Sequence, residues 1–286
     1  MSTMTPFFQG DVAYKLRQYN LDAINRWLQI GGHDREIHRR LLYTTPRAPI
    51  IPADCMFETF EIRQSMCFAD VKNPNLFLAD CIAQGDNKEL HCLIFFRTDA
   101  GQIIDLLELP LYPPAPLPAP LGMDAPPVLP PNRFPLDKLL LDQRRPFSGD
   151  AALTRSTNIA AIETWFSFSG DNRHTERLQY FTKDNPEYEE TKMHADQCNQ
   201  HPEENVFPDW GFYEHSLFTS VDNPTLFLGE GLGQGTLHNH PMMPGQKTME
   251  AHYLFPFVMR DGMICDFTEM HIDGLPMHLS RDLLRK

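Results

Sequence analysis

A proline-rich stretch interrupts this chain near its middle, and the sequence before it returns after it. Between Pro110 and Pro135 eleven positions are proline (110, 113, 114, 116, 118, 120, 126, 127, 130, 131 and 135). Proline has no backbone donor and a fixed φ, so such a stretch favours polyproline II and cannot join a sheet or continue a helix. It reads as a stiff strap between domains. A ligand for a proline-recognising domain is the other reading.

The flanking halves match in order. Asn20-Leu-Asp-Ala-Ile-Asn-Arg-Trp27 faces Asn158-Ile-Ala-Ala-Ile-Glu-Thr-Trp165 at an offset of 138. Phe57-Glu-Thr-Phe60 then faces Phe207-Pro-Asp-Trp210, and Asn73-Pro-Asn-Leu-Phe-Leu78 faces Asn223-Pro-Thr-Leu-Phe-Leu228, both at 150. Glu89-x-His91-x-Leu93 and Glu108 face Glu250-x-His252-x-Leu254 and Glu269 at 161. A repeat this long with a strap between its copies is a duplicated domain, not a solenoid. The expected boundaries are 1–112 for the first copy, 113–137 for the linker and 138–286 for the second.

Each copy reads as helices first and strands after. A helix opened by Asn20 or Asn158 closes near Gly31 or Gly170, and a second short helix covers His33–Leu42 or Asn172–Phe181. Asn-Pro leads into a strand, and Asp99-Ala-Gly and Arg260-Asp-Gly mark hairpins. The class expected is α+β: two tandem cone-shaped domains, each a curved antiparallel sheet wrapped by helices, packed as a pseudo-dimer. A cone of this kind leaves a ligand cavity at its open end. The neighbouring copy is expected to complete it.

Composition excludes several classes. Twenty-five Lys and Arg against 38 Asp and Glu leave a net charge of −13, so there is no basic footprint for nucleic acid or an anionic membrane surface. No apolar run reaches the length of a membrane span, and the N-terminus shows no basic region leading into an apolar stretch. Six cysteines without a C-x-x-C pair suit reduced thiols, and a cytoplasmic location is expected. Phosphate-binding glycine loops and the G-x-S-x-G elbow are absent.

The second copy resembles the phenazine-biosynthesis PhzA/PhzB family, of the nuclear-transport-factor-2-like or SnoaL-like superfamily. The matching residues are Asn158…Trp165-Phe166, Glu176-Arg177-Leu178-Gln179, Phe207-Pro208-Asp209-Trp210, and Asp222-Asn223-Pro224-x-x-Phe227. Glu230-Gly231-x-Gly233, Pro244-Gly245, His252-Tyr253 and Gly262-x-Ile264 before Glu269 continue the match. The first copy resembles the family more weakly, through Arg35-Glu-Ile-His-Arg39-Arg-Leu-Leu-Tyr-Thr. The resemblance implies a single-domain homodimeric relative that condenses two molecules of an amino-oxo-cyclohexene carboxylic acid, without metal or organic cofactor. A tandem chain supplies its pseudo-dimer internally, and a further homodimer stays open.

Glu269 is the leading catalytic candidate. With strand period two it shares a face with Cys265, Phe267 and His271, and a carboxyl on an apolar face is expected to be desolvated and poised for acid–base work. A structural carboxyl hydrogen-bonded across the sheet is the other reading. The resemblance places the family's catalytic glutamate here, and the repeat makes Glu108 its counterpart in a possible second site. It also places Tyr253 in the pocket, where the first copy has Cys92. The family's histidine and serine positions fall on Asn199 and Glu203, with His201 and His194 nearby. Either a small indel brings His201 into the pocket, or the chemistry has changed. Trp210 reads as a core aromatic or a stacking platform. Arg39 matches a carboxylate-binding arginine of the family, whose guanidinium fork suits that group. His238 and His240 with His252 or His271 could hold a metal, but their Gly- and Pro-rich surroundings read as a loop, and no metal is expected.

The resemblance therefore implies a small cyclic carboxylic acid as substrate and no cofactor. The alternatives are a non-catalytic carrier of a reactive aromatic precursor and an interaction module built on the strap.

Overall fold

A computed structural model describes residues 13–43, 58–86, 88–110, 147–238 and 247–271. The strap expected at 113–137 lies outside the described residues. Those described fall into two compact units. The first takes its residues from 16–67 and 75–110, and the second from 13–15, 68–74 and 147–271. Residues 68–74 thus belong with the second unit, across the boundary expected from the repeat.

The first unit holds α1 (Tyr14–Leu28) from Leu16 onward, α2 (Arg35–Arg39), a 3-10 turn at Arg40–Leu42, and strands β1 (Phe60–Asp70) as far as Cys67, β2 (Leu76–Gly85), β3 (Lys88–Asp99) and β4 (Gln102–Pro110). The second holds α3 (Ala151–Ser167), α4 (Arg173–Leu178), α5 (Tyr188–Gln200), a 3-10 turn at Pro202–Glu204, and β5 (Gly211–Ser220), β6 (Leu226–Leu237), β7 (Lys247–Arg260), β8 (Met263–Phe267) and β9 (Met270–His271). Hydrogen bonding runs β4-β3-β2-β1 in one and β5-β6-β7-β8 in the other, with β9 also on β7. The class is α+β, antiparallel sheet with a few helices.

Both expected hairpins are present. Ala100 and Gly101 (φ 46° and 80°) and Asp261 and Gly262 (φ 53° and 78°) each place two successive residues at positive φ. That backbone matches the twist of the flanking strands, and the second position favours glycine.

The helix starts differ from expectation. Asn20 and Asn158 lie inside α1 and α3, fully buried, and do not cap them. Asn158 Nδ2 donates to the Pro224 carbonyl at 3.0 Å, and Asn20 Oδ1 accepts from the Gly101 amide at 2.8 Å. These asparagines tie each helix to a turn of its own unit. The cap of α3 is Asp150, whose carboxylate accepts from the amides of Ala152 and Leu153. The second helices are also shorter than expected, ending at Arg39 and Leu178.

The core of the second unit explains its glycines. Gly229, Gly231, Gly233 and Gly235 occupy alternate positions of β6, so all face one side. A Cβ on Gly229 would meet Phe166 at 2.8 Å and Phe257 at 2.9 Å, and one on Gly231 would meet Phe212 at 3.0 Å. Bare backbone lets aromatic rings lie directly on the strand. Gly229→Ala is accordingly expected to destabilise by roughly 1–3 kcal/mol through overpacking. A urea midpoint equal to wild type would show that the rings do not press on β6.

Candidate functional site

The side of β6 that carries the glycines is lined by rings and two arginines. Trp165 and Phe166 of α3 meet Phe212, Phe255 and Phe257 at centroid distances of 5.3–6.1 Å. Arg173 and Arg177 sit one turn apart on α4 and therefore project to the same side. Arg173 donates to the carbonyls of Gly170 (3.0 Å) and Phe207 (2.9 Å). Arg177 donates to the Phe168 carbonyl at 2.9 Å, and its guanidinium lies 4.5 Å from the Trp165 ring and 4.9 Å from that of Phe212. Its Nε is buried and makes no hydrogen bond among the described residues. Burial, then repulsion by Arg173, pushes the Arg177 guanidinium down to about 10, while Glu269 and Tyr253 draw it back up. These four residues form one electrostatic group.

Tyr253 is 7% exposed, stacked on Phe255 at 5.5 Å, with edges toward Trp210 (6.1 Å) and Phe212 (5.9 Å). Trp210 is half-buried and covers Gly233 and Gly235. Both sequence candidates thus belong to the same aromatic wall.

Glu269 differs in environment from the expectation. It falls in a two-residue break between β8 and β9, and it is exposed, not desolvated. The register is kept across the break, with Phe267 opposite Phe257 and Met270 opposite Leu254, so Glu269 stays on the side of Phe267 and Tyr253. Two residues drop out of the ladder there before it resumes, which period-two patterning cannot signal. Glu108 pairs with Ile94 along β4, and its side chain lies outside those described.

The family's histidine region is not in this group. Asn199 is exposed and donates to Thr175 Oγ1 at 3.1 Å. His201 ends α5, exposed, with Nδ1 3.5 Å from Glu203. A groove of about 400 Å³ runs along the exposed side of α5, lined by Glu189, Lys192, Met193, Asp196, Gln197, Gln200 and His201. His201, Glu203 and Glu204 bring one ligand atom each within 4.8 Å of one another, all on exposed side chains. His240 lies outside the described residues. His252 is buried, its Nε2 2.6 Å from Glu230.

Sequence reasoning passed over three groups. Arg177 stands 138 residues after Arg39, and Arg39 occupies the same place in the first unit, buried with its guanidinium 3.7 Å from the Trp27 ring. Arg39 therefore lies on the aromatic wall of its own unit, and the repeat offset alone would have led from it to Arg177. His215 faces the same side of the sheet as Gly231, its register partner, and stacks on Phe166 at 4.7 Å while its Nε2 lies 2.8 Å from Glu163.

His174, the third, neighbours both arginines. Burial, then Arg173 and Arg177, pushes its imidazole down to about 3. A histidine protonated at about 6.5 when unfolded and neutral when folded favours unfolding as pH falls. The contribution is whole above pH 6.5 and disappears between 6.5 and about 3, at up to about 1.4 kcal/mol per pH unit, less because the ring is partly wetted. His174→Gln is expected to flatten the acid limb of a stability–pH curve. An unchanged limb would refute this.

No family model matches the chain, and no curated protein matches it. Its structural neighbours are phenazine-biosynthesis and polyketide-cyclase-type proteins. A phenazine biosynthesis-related protein from Pseudomonas aeruginosa is 22% identical, covering 48% of this chain and 90% of that one, with a TM-score of 0.35. A candidate polyketide cyclase from Xanthomonas campestris pv. campestris is 15% identical over 41% and 90% of the two chains, with a TM-score of 0.32. Another from Silicibacter sp. TM1040 is 16% identical over 46% and 96%, also with a TM-score of 0.32. Among the described residues, no helix is long and apolar enough to cross a membrane.

Proposed function

We propose that this chain is a cofactor-independent acid–base catalyst of phenazine-type secondary metabolism. It promotes imine-forming condensation or isomerisation of a small cyclic carboxylic acid bearing amino or keto groups. The observation that carries the reading is the grouping of Arg177, Tyr253 and Glu269 on one aromatic wall of the second unit. An aromatic wall suits a flat ring, and the buried guanidinium suits its carboxylate. An exposed carboxylate on the same side can take a proton and return it, as imine formation requires. Duplication of one domain, with the second copy active and the first a packing partner, belongs to this proposal.

A second reading is favoured by Asn199, which stands at the family's histidine position and holds Thr175. Without that imidazole the chain is a carrier that shelters a reactive precursor. The deciding experiment generates the amino-oxo-cyclohexene carboxylate in situ and follows formation of the tricyclic product with and without protein. A saturable acceleration supports catalysis. Stabilisation by a phenazine carboxylate without acceleration supports the carrier.

A further inference from the structure

The first unit departs from the second where Tyr253 stands. Applying the repeat offsets, Gly231 and Tyr253 become Cys81 and Cys92, and these two cysteines are direct register partners on β2 and β3. Directly opposed residues of an antiparallel pair project to the same side, with Cα atoms about 4.5–5.5 Å apart. A disulfide spans Cα separations of roughly 4.4–6.8 Å, so no strand has to move to join them. Both thiols are free and buried, at 0% and 2% exposure. Burial, then the Cys92 thiol opposite, pushes the Cys81 thiol up. Cys67 of β1 acts on Cys81 electrostatically and lies 3.9 Å from Asn25 of α1, which makes a group of three thiols inside this unit. Isolated buried cysteines serve as small apolar side chains. Two opposed across a ladder, with a third beside them, also have redox chemistry within reach.

We propose that Cys81 and Cys92 form a reversible cross-strand disulfide when the protein meets a peroxide. Cys92, the less buried of the two, attacks the O–O bond as its thiolate, giving a sulfenic acid and one water. The Cys81 sulfur then displaces the sulfenic oxygen, which leaves as a second water with the Cys81 proton. Two sulfurs lose two electrons, the peroxide gains two, and an added dithiol reverses the bond. Burial makes the step slow, so the bridge records sustained exposure to oxidant.

The test treats the full chain with hydrogen peroxide, blocks remaining thiols, and maps the unreduced digest by mass spectrometry. Expected is a peptide pair joined through Cys81 and Cys92, two thiols fewer per chain, and full recovery with dithiothreitol. Cys81→Ala, which places here the residue type found at the flanking Ala79 and Ala83, is expected to abolish that species. Oxidation confined to the half-buried Cys198 and Cys265, or a bridge from Cys67 instead, would overturn the proposal. The mapping uses wild-type protein, so it decides between these outcomes even where the variant folds poorly.

Discussion

Replacing Glu269 with Gln is expected to slow the proposed condensation by about 10²–10⁴-fold, the usual contribution of a general acid–base group. The substitution keeps shape and removes the proton acceptor. Because Glu269 is exposed, the melting temperature should not move, surface changes being usually worth less than about 0.5 kcal/mol. Exposure also changes the expected order of events. A desolvated carboxyl would start protonated and donate first, whereas a solvated one beside the Arg177 cation takes a proton from the attacking amine and then returns it. Turnover equal to wild type would remove Glu269 from the mechanism, whatever remained of the binding wall.

Part of this fold was legible in residues that must be where they are. Trp27 and Trp165 anchor their helices, and the Gly101 and Gly262 turns need a residue free to adopt positive φ. The helix starts were not legible. Asn is a good cap by its own chemistry, yet Asn20 and Asn158 make long-range bonds that outweigh a local preference. The site was half legible. Alternation put Glu269 on the correct side of the sheet but could not tell that the ladder breaks there. Arg177 was overlooked because a charged residue on a short helix ordinarily faces solvent. Only packing shows it laid on Trp165.

Arg177→Met is expected to separate binding from stability. Burying a cation costs free energy, visible as the fall of its guanidinium to about 10, and replacing a buried charge with an apolar side chain of similar length is often neutral or stabilising. The sign agrees: a guanidinium lowered by folding opposes folding at neutral pH, and that opposition fades only as pH climbs above about 10. The melting temperature of Arg177→Met should therefore hold or rise. Affinity for a phenazine carboxylate should drop by about 30-fold or more, the loss of a desolvated charge partner costing roughly 2–5 kcal/mol. Arg155→Met provides the contrast. Arg155 is also buried and also lowered to about 10, but its bonds to Thr219 Oγ1 and the Ser220 carbonyl both lie inside the core, whereas the Arg177 bond to the Phe168 carbonyl is only partly buried, so loss of Arg155 strands more buried partners. That variant should lose roughly 1–3 kcal/mol of stability. If both variants lost stability alike and Arg177→Met still bound the carboxylate, Arg177 would be another structural arginine, and the anchor for the substrate would have to be sought elsewhere on the wall.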